Sequence, residues 1–221
     1  MTTNTQTTVC LHCGKVAADQ LVCSGCGVVE STAQAPDYFD VFSLPRRLTI
    51  DLADLEQRYY ALSRRLHPDL CHDRPAAEQA ASLRMTALVN HAYRTLRDPV
   101  QRGLYWLQLN GESLGRDNER VSSALAARVF EVQEQLEELR AARVAGKAAA
   151  AVREMEAIRG NVRGDLKDCQ ERLTANFNRT DAAGDTAAAL AETKTILSEL
   201  HYVRTLLRDV ENELGPAWNP S

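Results

Sequence analysis

Apolar residues in this chain recur three and four positions apart, the spacing of helix faces, and no segment of any length alternates as a strand would. Asp51 stands where a helix N-cap is needed, and Leu52, Leu55, Tyr59, Leu62 and Leu66 line one face of the helix that follows. Arg58, Arg64 and Arg65 fall off that face. Pro68 ends the helix, since it has no amide hydrogen and biases the residue before it away from helical geometry. His67 to Pro75 is then a loop. Periodicity resumes with Leu83, Met85, Leu88, Val89, Ala92, Tyr93 and Leu96, a stripe suited to antiparallel packing on the first helix. Asp98-Pro99 opens a shorter helix ending near Leu109.

Three further stripes follow a polar, glycine-containing stretch from Asn110 to Asn118. They are Leu125, Val129, Val132, Leu136 and Leu139; Val152, Met155, Val162, Leu166, Cys169 and Leu173; and Leu190, Leu197, Leu200, Val203, Leu207, Val210 and Leu214. The turn between the last two is expected at Asn178 to Asp185. Gly160 and Gly164 each weaken the middle helix by about 1 kcal/mol relative to alanine and mark where it would bend. The expected fold is all-α: a helical hairpin over 37–110, a linker over 111–118, and an antiparallel three-helix bundle over 119–215. Before the hairpin lie a small cysteine-rich segment, 1–30, and a linker, 31–36, whose polar, proline-containing composition runs on to Asp37.

At 221 residues, with 44% hydrophobic and 25% charged, the composition is that of a folded globular chain. The net charge of -4 gives no overall attraction for nucleic acid, and no run of about 18 apolar residues argues for a membrane span. Residues 1–9 hold no Lys, Arg or apolar run, so no targeting signal is visible and a cytoplasmic location is expected. Four of the 6 cysteines form two knuckles, Cys10-x2-Cys13 and Cys23-x2-Cys26, which in a reducing compartment read as metal ligands. Four thiolates fit a closed, structural zinc site, with iron or a redox-active pair as the other reading of four sulfurs. Gly14 and Gly27 follow the second cysteine of each knuckle, where the backbone must fold back around the metal. His12 is a flanking residue, Cys71 and His72 are loop residues, and Cys169 is a small buried hydrophobe.

The tripeptide His67-Pro68-Asp69 lies between two amphipathic arms, preceded by Tyr59-Tyr60-Ala61-Leu62-Ser63-Arg64-Arg65-Leu66 and followed by Asn90-His91-Ala92-Tyr93-Arg94-Thr95-Leu96. Residues 37–110 resemble a J-domain. With a three-helix region behind them in sequence and no Gly/Phe-rich linker, the chain is similar to the HscB family over 37–214. The resemblance implies a co-chaperone without covalent chemistry of its own. Its tripeptide, with the basic face of Arg58, Arg64 and Arg65, would dock on a DnaK/HscA-type ATPase and stimulate hydrolysis. Pro68 would hold His67 and the Asp69 carboxylate outward, Asp69 to pair with an arginine of the partner, while the three arginines steer encounter. For Arg46, Arg47 and Arg74 a solvated face is the reading.

The resemblance further implies that the bundle binds an IscU-type scaffold for iron–sulfur cluster assembly. Carried over residue by residue, the contacts are Ala126, Ala127, Phe130, Glu131 and Glu134, with Tyr202 matching an aromatic on the last helix. Ala126 and Ala127 stand where the family has bulkier apolar residues, a loss of about 1.5–3 kcal/mol each if those side chains were fully buried. Some eukaryotic HscB relatives also carry a four-cysteine N-terminal segment. No nucleophile–base pair, phosphate loop or open metal site suggests an enzyme. The competing reading is a generic J-protein that delivers varied unfolded clients, which the missing Gly/Phe-rich segment disfavours.

Overall fold

The computed structural model of the chain describes residues 36–67, 73, 75–114, 122–184 and 186–215. Cys10, His12, Cys13, Cys23 and Cys26 lie outside the described residues, as do Pro68, Asp69, Cys71 and His72. The described residues form seven α-helices and no strand, in agreement with the all-α expectation. None of these helices is long and apolar enough to cross a membrane. They group into two compact units that divide between Arg102 and Gly103, whereas the sequence pattern places its linker at 111–118.

The first unit opens with a single turn, α1 (Tyr38–Val41), whose N-terminus is capped by the Asp37 carboxylate accepting from the Asp40 amide at 2.8 Å. Phe39, Val41, Phe42 and Leu48 are buried around it. Ser43 follows in the left-handed region, φ 51°, and brings the chain back toward α2 (Leu52–Arg65). Asp51 caps α2 as its sequence position predicts, accepting from the amides of Ala53 and Asp54 at 2.9 and 3.2 Å.

Arg58 clasps these elements together. Its Nε bonds both Asp54 carboxylate oxygens at 3.0 Å, and its Nη1 donates to the carbonyls of Phe42 and Ser43 at 2.9 and 3.0 Å. The guanidinium supplies a fork of donors where the α1 turn leaves carbonyls without helical partners.

α3 (Ala76–Arg97) packs antiparallel on α2. Tyr59 of α2 stacks on Tyr93 of α3 with ring centroids 4.1 Å apart, and the Tyr59 hydroxyl donates to Asn90 Oδ1 at 2.9 Å. Leu55, Leu62 and Leu66 are buried in this seam, with Val89, Ala92 and Leu96 opposite. Two expected members are exposed instead. Leu52 is 49% exposed, because it sits about 40° or more round the helix from the other three leucines. Leu83 is 64% exposed, about 120° from Val89, and the neighbouring Ser82 takes the inward position instead.

α4 (Pro99–Leu109) begins at Asp98, whose carboxylate accepts from the Val100 and Gln101 amides at 2.7 and 3.0 Å. It spans the division between the units. Within the second unit, Trp106 and Leu107 are buried, and Gly103 lies so close to the Leu197 and Phe177 side chains that a Cβ there would meet both at 3.3 Å.

α5 (Ser123–Val144), α6 (Ala149–Ala183) and α7 (Ala187–Leu214) form the expected bundle. Val132, Leu136, Leu139, Met155, Val162, Val203, Leu206 and Val210 make its core. Gly160 and Gly164 do not break α6, which runs unbroken for 35 residues; both face open space, so the missing side chains remove no packing contact. The turn to α7 also falls later than Asn178. Polar residues in that stretch find helical partners: Asn176 Nδ2 donates to Thr193 Oγ1 at 2.8 Å, and Thr180 Oγ1 bonds back to the Asn176 carbonyl at 2.9 Å. Gly184, φ 84°, makes the reversal. Arg163–Glu211, Arg172–Glu199 and Arg179–Glu192, each at 2.6 Å, tie α6 to α7 along its length.

The Arg58 clasp gives a testable ranking. An exposed i,i+4 ion pair is worth about 0.3–0.5 kcal/mol, whereas a charged donor on backbone carbonyls is worth more. Arg58→Met should therefore lower stability by about 1–2 kcal/mol in urea unfolding, and Asp54→Asn by less than about 0.5 kcal/mol. Equal losses in the two variants would show that the clasp acts only through its ion pair.

Candidate functional site

Two groups of side chains carry the functional expectations, one in each unit. In the first, α2 ends where the tripeptide begins. Leu66 is the C-cap, φ -97° and ψ 5°, with its amide still donating to the Leu62 carbonyl at 3.0 Å. Its side chain is buried, and His67, the next residue, is exposed. Arg64 and Arg65 occupy the last turn of α2 and are exposed, with Arg64 Nε donating to the Tyr60 carbonyl at 3.3 Å. Basic side chains in this turn also complement the negative end of the helix dipole. Arg58 is placed differently. Its guanidinium is engaged on Asp54, Phe42 and Ser43, so its contribution to the site begins with holding α1 and α2 in register.

The sequence pattern missed the contacts that fix the end of α2. Ser82 Oγ donates to the Leu66 carbonyl at 3.2 Å, and Thr86 Oγ1 lies 3.3 Å from the same oxygen and 2.9 Å from the Ser82 carbonyl. Ser82 is 3% exposed. The available signal was chemical: Pro68 has no amide hydrogen to give to the end of α2, and two hydroxyls four residues apart on the antiparallel helix are suited to supply a donor.

In the second unit the carried-over residues lie mostly on the outer face of α5. Ala127, Phe130, Glu131 and Glu134 are exposed, Ala126 is half-buried, and Phe130 is 77% exposed. Phe130 sits about 160° round the helix from the core residue Val132, which makes it a surface aromatic. Glu131 pairs with Arg128 at 3.3 Å. Tyr202 is half-buried on α7, its ring edge-on to His201 with centroids 5.9 Å apart.

An open cleft of about 450 Å³ lies between α5, α6 and α7, with Leu125, Cys169 and Val203 among its apolar lining. Four of its charged residues pair off, Arg172 with Glu199 at 2.6 Å and Arg128 with Asp165 at 3.8 Å, and Asp168 adds a further carboxylate. Burial pushes the Cys169 thiol above its ordinary value, which fits an inert packing residue. Among the described residues no group of three or more His, Cys, Asp or Glu side chains is placed to hold a metal ion.

Comparison with known proteins links the two units. Residues 37–105 match the DnaJ domain. The chain is similar to the iron–sulfur cluster co-chaperone protein HscB of Mus musculus, 29% identical over 212 residues that span 94% of this chain and 83% of the relative. Against the Homo sapiens protein of the same name it is 29% identical over 198 residues, 87% of this chain and 77% of the relative. Among solved structures, human co-chaperone protein HscB superposes with a TM-score of 0.70 at 26% identity, covering 92% of this chain and 96% of that one. Chaperone HscB from Vibrio cholerae shares the fold, with a TM-score of 0.59 at 24% identity over 80% of this chain and 96% of that one. The likeness extends through the bundle as well as the J-domain: residues 37–105 match the DnaJ domain, and the chain is similar over most of its length to co-chaperones of the HscB type.

Proposed function

We propose that this chain is a co-chaperone that couples a DnaK/HscA-type ATPase to an IscU-type scaffold in iron–sulfur cluster assembly. The observation that carries this reading is the span of the likeness. A J-domain alone identifies the ATPase partner class, whereas similarity to HscB over 94% of the chain includes the helices that would hold the client.

In this reading His67, Pro68 and Asp69 form the contact that stimulates hydrolysis. Arg64 and Arg65, exposed in the turn before it, raise the association rate by attracting an acidic patch on the ATPase. Arg58 contributes through the same basic face while it ties the end of α1 to α2. The scaffold binds on α5 through Phe130, with Ala126 and Ala127 allowing close approach and Glu131 and Glu134 on the rim, and Tyr202 supplies a second aromatic from α7. An exposed aromatic bordered by carboxylates has the character of an interface anchor. The chain performs no bond chemistry; it sets when the ATPase turns over and on which client.

We further propose that Cys10, Cys13, Cys23 and Cys26 hold a structural zinc ion. The support is the donor set: four sulfurs in two knuckles fill a tetrahedral shell and leave no position for a reacting water. The ion would contribute folding free energy to a segment too short to bury a core of its own.

Three measurements test these assignments. His67→Gln should bring ATPase stimulation down to the unstimulated rate with the melting temperature unchanged; retained stimulation would remove the tripeptide from the mechanism. Phe130→Ala should weaken scaffold binding by about tenfold or more in calorimetry while leaving stimulation without scaffold intact. Purified chain should contain stoichiometric zinc by mass spectrometry, lost in Cys10→Ser/Cys13→Ser, and a metal-free wild type would end the zinc reading.

A further inference from the structure

We propose that Ser82 and Thr86 are positioning residues that aim His67, a role that rests on the reading of His67 as an ATPase contact. The constraint starts with Pro68. It biases His67 away from helical geometry, so α2 ends with Leu66 as its C-cap, and the Leu66 carbonyl lies past the regular ladder of helix hydrogen bonds. Leu66 is 1% exposed, so water is a poor substitute, and an unsatisfied buried carbonyl is costly. Two hydroxyls of α3 meet it instead, Ser82 Oγ at 3.2 Å and Thr86 Oγ1 at 3.3 Å.

The two hydroxyls are not equivalent. Thr86 has one proton and a closer acceptor in the Ser82 carbonyl at 2.9 Å, so it shares its bond between two oxygens of the seam. Ser82 directs its proton at Leu66, and it is the more deeply buried of the two. Because a peptide unit is planar, fixing the Leu66 oxygen also fixes the amide of His67 and the direction in which its Cα leaves the helix. Neither hydroxyl needs to touch the ATPase. They hold one face of a peptide plane whose other end carries the contact residue. The inward turn of Ser82, which displaces Leu83 to the surface, is what this arrangement requires of α3.

The test uses the full-length chain with Ser82→Ala/Thr86→Val, which removes both hydroxyls and nearly preserves side-chain volume, and with Thr86→Ser, which keeps the hydroxyl. Folded fraction at the assay temperature is checked by circular dichroism. The double variant is expected to lower maximal ATPase stimulation by about tenfold at matched folded fraction, with the half-saturating concentration changed less than about twofold. Thr86→Ser should behave as wild type. Amide relaxation of His67, measured on the same proteins, should show a rigid order parameter in wild type and Thr86→Ser and a lower one in the double variant. This second reading does not depend on any ATPase. Wild type failing to stimulate would overturn the proposed function, and the His67 amide would still decide the positioning role. A double variant that stimulates fully, or whose His67 amide stays as rigid as in wild type, overturns the inference.

Discussion

α2 must end abruptly, just before a proline, while its C-cap Leu66 stays in the core. This constraint organises the first unit. A helix that frays into solvent leaves its final carbonyls to water, but Leu66 is buried against α3, and its carbonyl needs a protein donor. The antiparallel pairing of α2 with α3 supplies one. It sets Ser82 and Thr86 beside Leu66 at one end of the seam and Tyr59 against Asn90 and Tyr93 farther along it. Arg58 ties the chain just after α1 to α2, while α1 itself packs on α3. An exposed residue leaving a fixed helix end is a suitable presentation for a short contact motif, because little conformational entropy remains to be lost on binding.

The second unit solves a different problem. Three long helices bury an apolar core and leave Phe130 outside it. The α6–α7 pair is tied along its flank by arginine–glutamate pairs and near its turn by the buried Asn176–Thr193 bond. A buried amide that satisfies a hydroxyl on the facing helix disfavours register slips, since sliding one helix would strand both groups. Glu213 near the end of α7 reaches Arg140 and Arg143 of α5, at 2.8 and 3.0 Å. A surface aromatic on a helix held in this way is a rigid anchor.

Much of this was legible in the residues. Asp51 marked a helix start because a short oxygen-bearing side chain there caps free amides, and Asp98-Pro99 marked another; both carboxylates accept from first-turn amides. Pro68 marked an end for an equally local reason. The bundle stripes were readable because their apolar spacing is unambiguous over five or more residues. Where the reading went astray, tertiary partners decided. Leu83 looked like part of a stripe, but the Leu66 carbonyl demanded a hydroxyl at the inward position. Gly160 and Gly164 looked like a break, but residues on either side pack well enough to carry α6 through. Asn178 looked like a turn, but its neighbours Asn176 and Thr180 had helical and cross-helix acceptors. For the sites, the tripeptide was visible as a motif, while the contacts on the Leu66 carbonyl join residues 16 and 20 positions apart and leave no mark in local periodicity.

In the proposed function, one unit would present a contact for an ATPase at a helix end and the other an anchor for a client on a helix face. A protein that delivers one folded client differs from one that delivers many unfolded clients in a single observable. Steady-state ATP hydrolysis by the DnaK-type partner is measured with this chain alone, with an IscU-type scaffold alone, with both, and with an unfolded polypeptide in place of the scaffold. The account predicts that the chain and scaffold together stimulate hydrolysis well beyond the sum of their separate effects, and that the unfolded polypeptide does not replace the scaffold. Additive stimulation by the scaffold, or equal synergy with the unfolded polypeptide, would contradict it.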